Sequence, residues 1–169
     1  MGIRGTLFLA AAFGKSVHVG VWEVFNSELV HNVFYEDGSL RDIYVFDTTV
    51  KDWQCIMDYF ISAHVTNTFY VDGEPHSIPK LSTDIFLDRQ FMWSIEYEGI
   101  LFNTHFFGVT EIEFDVNPSD VKTADKANHV VMFMTKLAQL TNKAVVLTPE
   151  NCPESPLFKL NSDGSLTIY

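Results

Sequence analysis

Along most of this chain apolar and polar residues alternate with a period of two, and in two stretches the period lengthens to that of a helix. Val17, Val19 and Val21 alternate first. FNSE at 25–28 and EDGS at 36–39 are turn-forming, so LVHNVFY and LRDIYVFD between and after them predict two further strands of a meander. Trp22, Phe25, Leu29 and Val33 also fit helical spacing, which makes a helix within 20–34 the competing expectation. Residues 49–62 predict a helix: Thr49 and Asp52 form a capping-box pair, and Val50, Trp53, Met57 and Phe60 make one apolar stripe.

TNTFYVDG then reads as a strand ending at Asp72-Gly73. EPHSIPKLSTDIFLDRQ, at 74–90, holds two prolines and reads as an irregular crossing loop. FMWSIEYEG, ILFNTHFFG and VTEIEFDV predict antiparallel strands, with a tight turn at Glu98-Gly99 and a bulge or turn at Gly108. Asn117-Pro118 ends that run. Thr123 caps a second helix, whose inner face is expected to hold Ala127, Val130, Val131, Met134, Leu137 and Ala138, with Lys143 at its C-terminal end. AVVLT returns as a strand that Pro149 terminates, and Pro153 and Pro156 stiffen the loop beyond it. Leu157, Phe158 and Leu160 are expected to tuck back before a turn at SDGS. These elements predict one α+β domain over 1–169: a mostly antiparallel sheet with two main helices packed on one face.

Composition narrows the function classes. The 47% hydrophobic content and 15 Phe supply a full core. Eleven basic against 22 acidic residues leave a net charge of −11, with no basic stripe, which argues against nucleic-acid binding. Cys55, on the first helix, reads as a small buried hydrophobe and Cys152 as a loop residue; neither stands in a metal or disulfide-scaffold spacing. The six histidines are scattered without ligand spacing. Nucleophile elbows, Walker loops and dinucleotide fingerprints are absent, so no catalytic residue, cofactor or metal is assigned. No apolar run reaches the roughly 20 residues that span a bilayer. The N-terminal MGIRGTLFLAAAFGKS pairs Arg4 with an apolar run in the manner of a signal peptide, but the run is short, which favours a buried first strand.

The most distinctive polar pattern lies in the strand region. Glu111, Glu113 and Asp115 alternate with Ile112, Phe114 and Val116, and Glu96 and Glu98 alternate with Trp93, Ile95 and Tyr97. Residues at i and i+2 share a strand face, so neighbouring strands would gather five carboxylates in one patch. A solvated outer face, a surface for a basic protein and a Ca²⁺ or Mg²⁺ site are the three readings of that pattern.

The helix ending in KLAQLTNK, followed by AVVLTPENCPESPLFKLNSDG, resembles the C-terminal pattern of small bacterial immunity proteins from polymorphic-toxin and contact-dependent inhibition systems. The match covers about the last 35 residues. The resemblance implies a cytoplasmic, non-enzymatic protein that binds one cognate toxin and neutralises it by stoichiometric occlusion. The negative charge suits a basic toxin, such as a nuclease, and makes Glu96, Glu98, Glu111, Glu113 and Asp115 the candidate contact residues. The alternative is a small-molecule or metal-binding enzyme with its site near the acidic strands or the 74–90 loop.

Overall fold

The structure, a computed structural model, describes residues 24–63, 65–78 and 91–169, and the backbone of 16–18. The expectations for the N-terminal 15 residues, for Val19 and Val21, for His64 and for most of the crossing loop lie outside these residues.

Among the described residues, three α-helices and ten strands follow one another. They are β1 (Ser16–His18), α1 (Ser27–Val33), β2 (Arg41–Phe46), α2 (Val50–Ser62), β3 (Thr66–Val71), β4 (Glu74–His76), β5 (Phe91–Tyr97), β6 (Ile100–His105), β7 (Glu111–Val116), α3 (Ala124–Thr141), β8 (Val145–Pro149), β9 (Phe158–Leu160) and β10 (Ser165–Ile168). The strands form one sheet in the order β1-β10-β9-β8-β2-β7-β6-β5-β3-β4. Every pairing is antiparallel. This is an α+β domain, as the pattern predicts.

Local chemistry sets the boundaries. Thr49 and Asp52 close the expected capping box, the Thr49 N–H donating to Asp52 Oδ2 at 2.8 Å. Thr123 caps α3 by accepting from the Lys126 N–H at 3.2 Å. That helix ends on Asn142 in the left-handed conformation, and Lys143 directly follows this cap, at the C-terminal end as expected. Glu98 and Gly99 take φ of 52° and 68°, as a two-residue hairpin requires. A Cβ at Gly99 would also meet Lys126 Nζ at 2.8 Å. That amine donates to the Glu98 carbonyl at 2.6 Å, tying the hairpin to the start of α3.

Three expectations are corrected. LVHNVFY is largely helix and not strand: Asn26 caps α1, accepting from the Leu29 N–H at 2.8 Å, and Val30 and Val33 enter the core. FNSE therefore starts a helix where a hairpin turn was expected, and the helical spacing outweighs the weaker alternation. EPH, expected to be loop, pairs with β3 as β4. Cys55 is also partly exposed, not buried, and both cysteines are free thiols.

Arg41 holds the α1–β2 connection. Only 1% exposed, it donates at 2.8 Å to the carbonyl of Val33, which α1 leaves without a helical partner, and at 2.9 Å to that of Tyr35 just beyond the helix. A cation at a helix C-terminus also complements its dipole.

The helices α2 and α3 cover one face of the sheet. Phe133 of α3 is the meeting point: it stacks on Phe102 at 3.9 Å and lies 5.1 Å from Phe114 and 5.2 Å from Phe60 of α2. Trp53 of α2 stacks on Phe106 at 4.7 Å. The buried residues form one contiguous core. We predict that Phe133→Ala destabilises the fold by about 4 kcal/mol, because it empties a site bounded by rings from three elements. Chemical denaturation measures this, and Ile61→Ala, at a partly exposed helix position, is expected to change stability far less.

Candidate functional site

The same alternation that sends Ile112, Phe114 and Val116 into the core puts Glu111, Glu113 and Asp115 on the opposite face. Strand β2 adds to them. Asp42 lies directly opposite Asp115, Tyr44 opposite Glu113, and Phe46 opposite Glu111. The β2 acid, Asp42, is a site residue that the sequence reading left out. Its signal was present in RDIYVF, where Asp42 and Tyr44 alternate with Ile43 and Val45.

The register divides the five expected carboxylates. Glu111, Glu113 and Asp115 stand together with Asp42. Glu96 is on the same face, but two strands away on β5 and opposite Leu101, near the other end of the ladder. Glu98 is in the β5–β6 turn, with its carbonyl held by Lys126. Strand β6 lies between the two acidic runs, so they form a cluster of three and two separate acids.

A polar ladder crosses the sheet at the level of Asp115. Thr148, Asp42, Asp115, Asn103, Ser94 and Thr68 occupy successive strands. Ser94 Oγ donates to Asn103 Oδ1 at 2.7 Å, and Asn103 Nδ2 donates to Asp115 Oδ1 at 3.0 Å. The chain of donors reaches Asp115 from one side only. Across from it, Asp42 is 2% exposed and accepts from the Tyr44 hydroxyl at 3.0 Å and from the Asn151 N–H at 2.7 Å.

These bonds give the TPEN segment its structural role. Pro149 ends β8 opposite Arg41, Glu150 accepts from the Leu40 N–H at 3.0 Å, and Asn151 turns left-handed at φ 56° to reach Asp42. Beyond it the Leu157 N–H returns to the Leu147 carbonyl at 2.8 Å. The proline-rich loop is thus docked on β2, and Leu157, Phe158 and Leu160 pack against or within the core.

Among the described residues, no Lys or Arg forms an ion pair with Asp42, Glu111, Glu113 or Asp115. Like charges opposite one another on a sheet repel. The carboxyls respond accordingly. Burial, followed by the charge of Asp42 and then those of Glu111 and Asp115, pushes Glu113 from 4.5 up to about 7, although a Tyr44 hydrogen bond opposes the shift. Burial also raises Asp42 and Asp115, against the hydrogen bonds from Asn151 and Tyr44 in the first case and from Asn103 in the second.

A cleft of about 440 Å³ opens at the end of β3, β5 and β6, lined by Tyr70, Gly73, Phe91, Met92, His105, Phe106 and Phe107. Among the described residues its lining contains no carboxylate. No group of three or more His, Cys, Asp or Glu among the described residues is arranged to hold a metal ion. Within the same residues, no helix is long and apolar enough to cross a membrane. No protein-family model matches the chain, and neither a curated protein nor a solved structure is significantly similar to it.

The raised Glu113 sets a pH dependence. Between 4.5 and about 7 its carboxyl is protonated when folded and ionised when unfolded, so stability falls as pH rises through that window and stays reduced above it. Glu113→Gln removes the ionisation. It is expected to raise Tm at about pH 8 and to leave it nearly unchanged at about pH 4, as read by thermal denaturation at both values.

Proposed function

We propose that this chain is an immunity protein that neutralises a basic bacterial toxin in the cytoplasm, binding it through the polar face of β2 and β7. The observation that carries this reading is the set of neighbouring carboxylates, Asp42, Glu111, Glu113 and Asp115, gathered on one face without a Lys or Arg counterion among the described residues. A partner's lysines and arginines would supply those counterions. Repulsion that costs stability in the free chain becomes attraction in the complex, and the charge of −11 speeds encounter.

The LTPENCPESP resemblance supports the same reading from a different direction. Its residues fix the tail onto β2, which makes that segment scaffold, and the contact surface is the acidic strand face beside it. Within this reading Glu96 and Glu98 lie away from the centre of the interface, and Asp42, being buried, acts through its charge.

Co-expression with the product of the adjacent gene tests the proposal. That product alone is expected to arrest growth, this chain to restore it, and the two to elute as a 1:1 complex. Replacing Glu111, Glu113 and Asp115 together by Gln, Gln and Asn is expected to abolish rescue. Removing repelling charges favours the fold, so loss of rescue by a folded variant reports on binding. A neighbour that is neither toxic nor bound, or full rescue by the triple variant, would sink the proposal.

A further inference from the structure

The aromatic cleft and the acidic strand meet along one row of the sheet. Tyr70, Met92 and His105 stand at successive positions on β3, β5 and β6. The β6–β7 ladder runs through Thr104 and Phe114, so the next residues on the two strands are His105 and Glu113. Glu113, just past the end of that ladder, faces Tyr44 on β2. On the same face, the charge of His105 is felt by Asp115. At the mouth of the cleft Phe107 is 72% exposed and stacks on the His105 ring at 5.3 Å with the planes 21° apart.

A wholly apolar ligand would make no use of the carboxylates beside the cleft, and a small cation would make no use of the rings. One common side chain uses both. Arginine has an apolar stem of three methylenes and a planar guanidinium that stacks on aromatic faces and forks onto carboxylates. We infer that the cleft of Tyr70, Met92, His105, Phe106 and Phe107 is an arginine anchor, taking the stem of an arginine from a basic partner while Glu111 and Glu113 take its guanidinium. The inference rests on the acidic-face reading and adds to it a specific pocket with Phe107 as the central contact. Exposed aromatic residues beside a charged patch are the kind that dominate interface energies.

The test separates stem from charge. A Gly/Ser peptide carrying arginines is compared with one in which each arginine is replaced by 2-amino-3-guanidinopropionic acid, which keeps the guanidinium and loses two methylenes. Binding to the full chain is read by fluorescence anisotropy. The arginine peptide is expected to bind about tenfold more tightly. Phe107→Ala, at an exposed position, is expected to erase that preference while changing binding of the short homologue by less than about twofold. If Phe107→Ala leaves the preference intact, or if a norleucine peptide binds as well as the arginine peptide, the anchor is wrong and the acidic-face reading stands. If Glu111→Gln/Glu113→Gln binds both guanidinium peptides like the unchanged chain, the acidic face itself is wrong, and the anchor falls with it.

Discussion

The registry of β7 between β2 and β6 is the constraint on which the rest depends. Ile112, Phe114 and Val116 must face α3, where Phe114 meets Phe133. With a side-chain period of two, the intervening Glu111, Glu113 and Asp115 have no choice of face. A slip of one residue would bury three acids and expose three core residues, a cost that no local interaction could offset. Core packing therefore fixes where the negative charge stands. The acidic surface is a consequence of the same alternation that builds the hydrophobic layer.

That arrangement puts folding and function in tension. Asp42 faces Asp115 across the β2–β7 pair, and Glu113 is held well above its ordinary titration range. Neither forms an ion pair with a Lys or Arg among the described residues, and the charge of Arg41 opposes the rise at Asp42 less than burial drives it. Buried Arg41, next to Asp42 in the chain, directs its donors to carbonyls at and beyond the end of α1 and lies 3.7 Å from Asp37. In a free protein, unneutralised charge at Glu113 only costs stability. It becomes useful when a partner brings the opposite charge, and this connects the electrostatics to the proposed inhibitor role.

Much of this was legible in the chain. Thr49 with Asp52, Glu98-Gly99 and the β7 alternation each carry a short-range signal, and each leads to the element it predicts. The failures lie where long-range information decides. LVHNVFY fits both periods, and its helix is stabilised by Asn26 at one end and by Arg41, which lies beyond the segment, at the other. Phe133 is absent from the narrow stripe expected for α3, because the sheet and α2 approach that helix from two sides and widen its buried face. The pairing of Asp42 with Asp115 joins residues far apart in sequence. The separation of Glu96 from the β7 acids depends on β6 intervening. Strand alternation reports which residues share a face, whereas strand order determines which of them become neighbours.

The fold crowds carboxylates on one face without pairing them with a Lys or Arg among the described residues. A carboxyl ¹³C NMR titration of the free protein tests it residue by residue. Glu113 is expected to titrate with a midpoint near 7, and Asp42 and Asp115 above the ordinary 3.8 of an aspartate. A Glu113 midpoint at its ordinary 4.5, with Asp42 and Asp115 unshifted or lowered, would mean that the charges are solvated or paired, and would contradict the account.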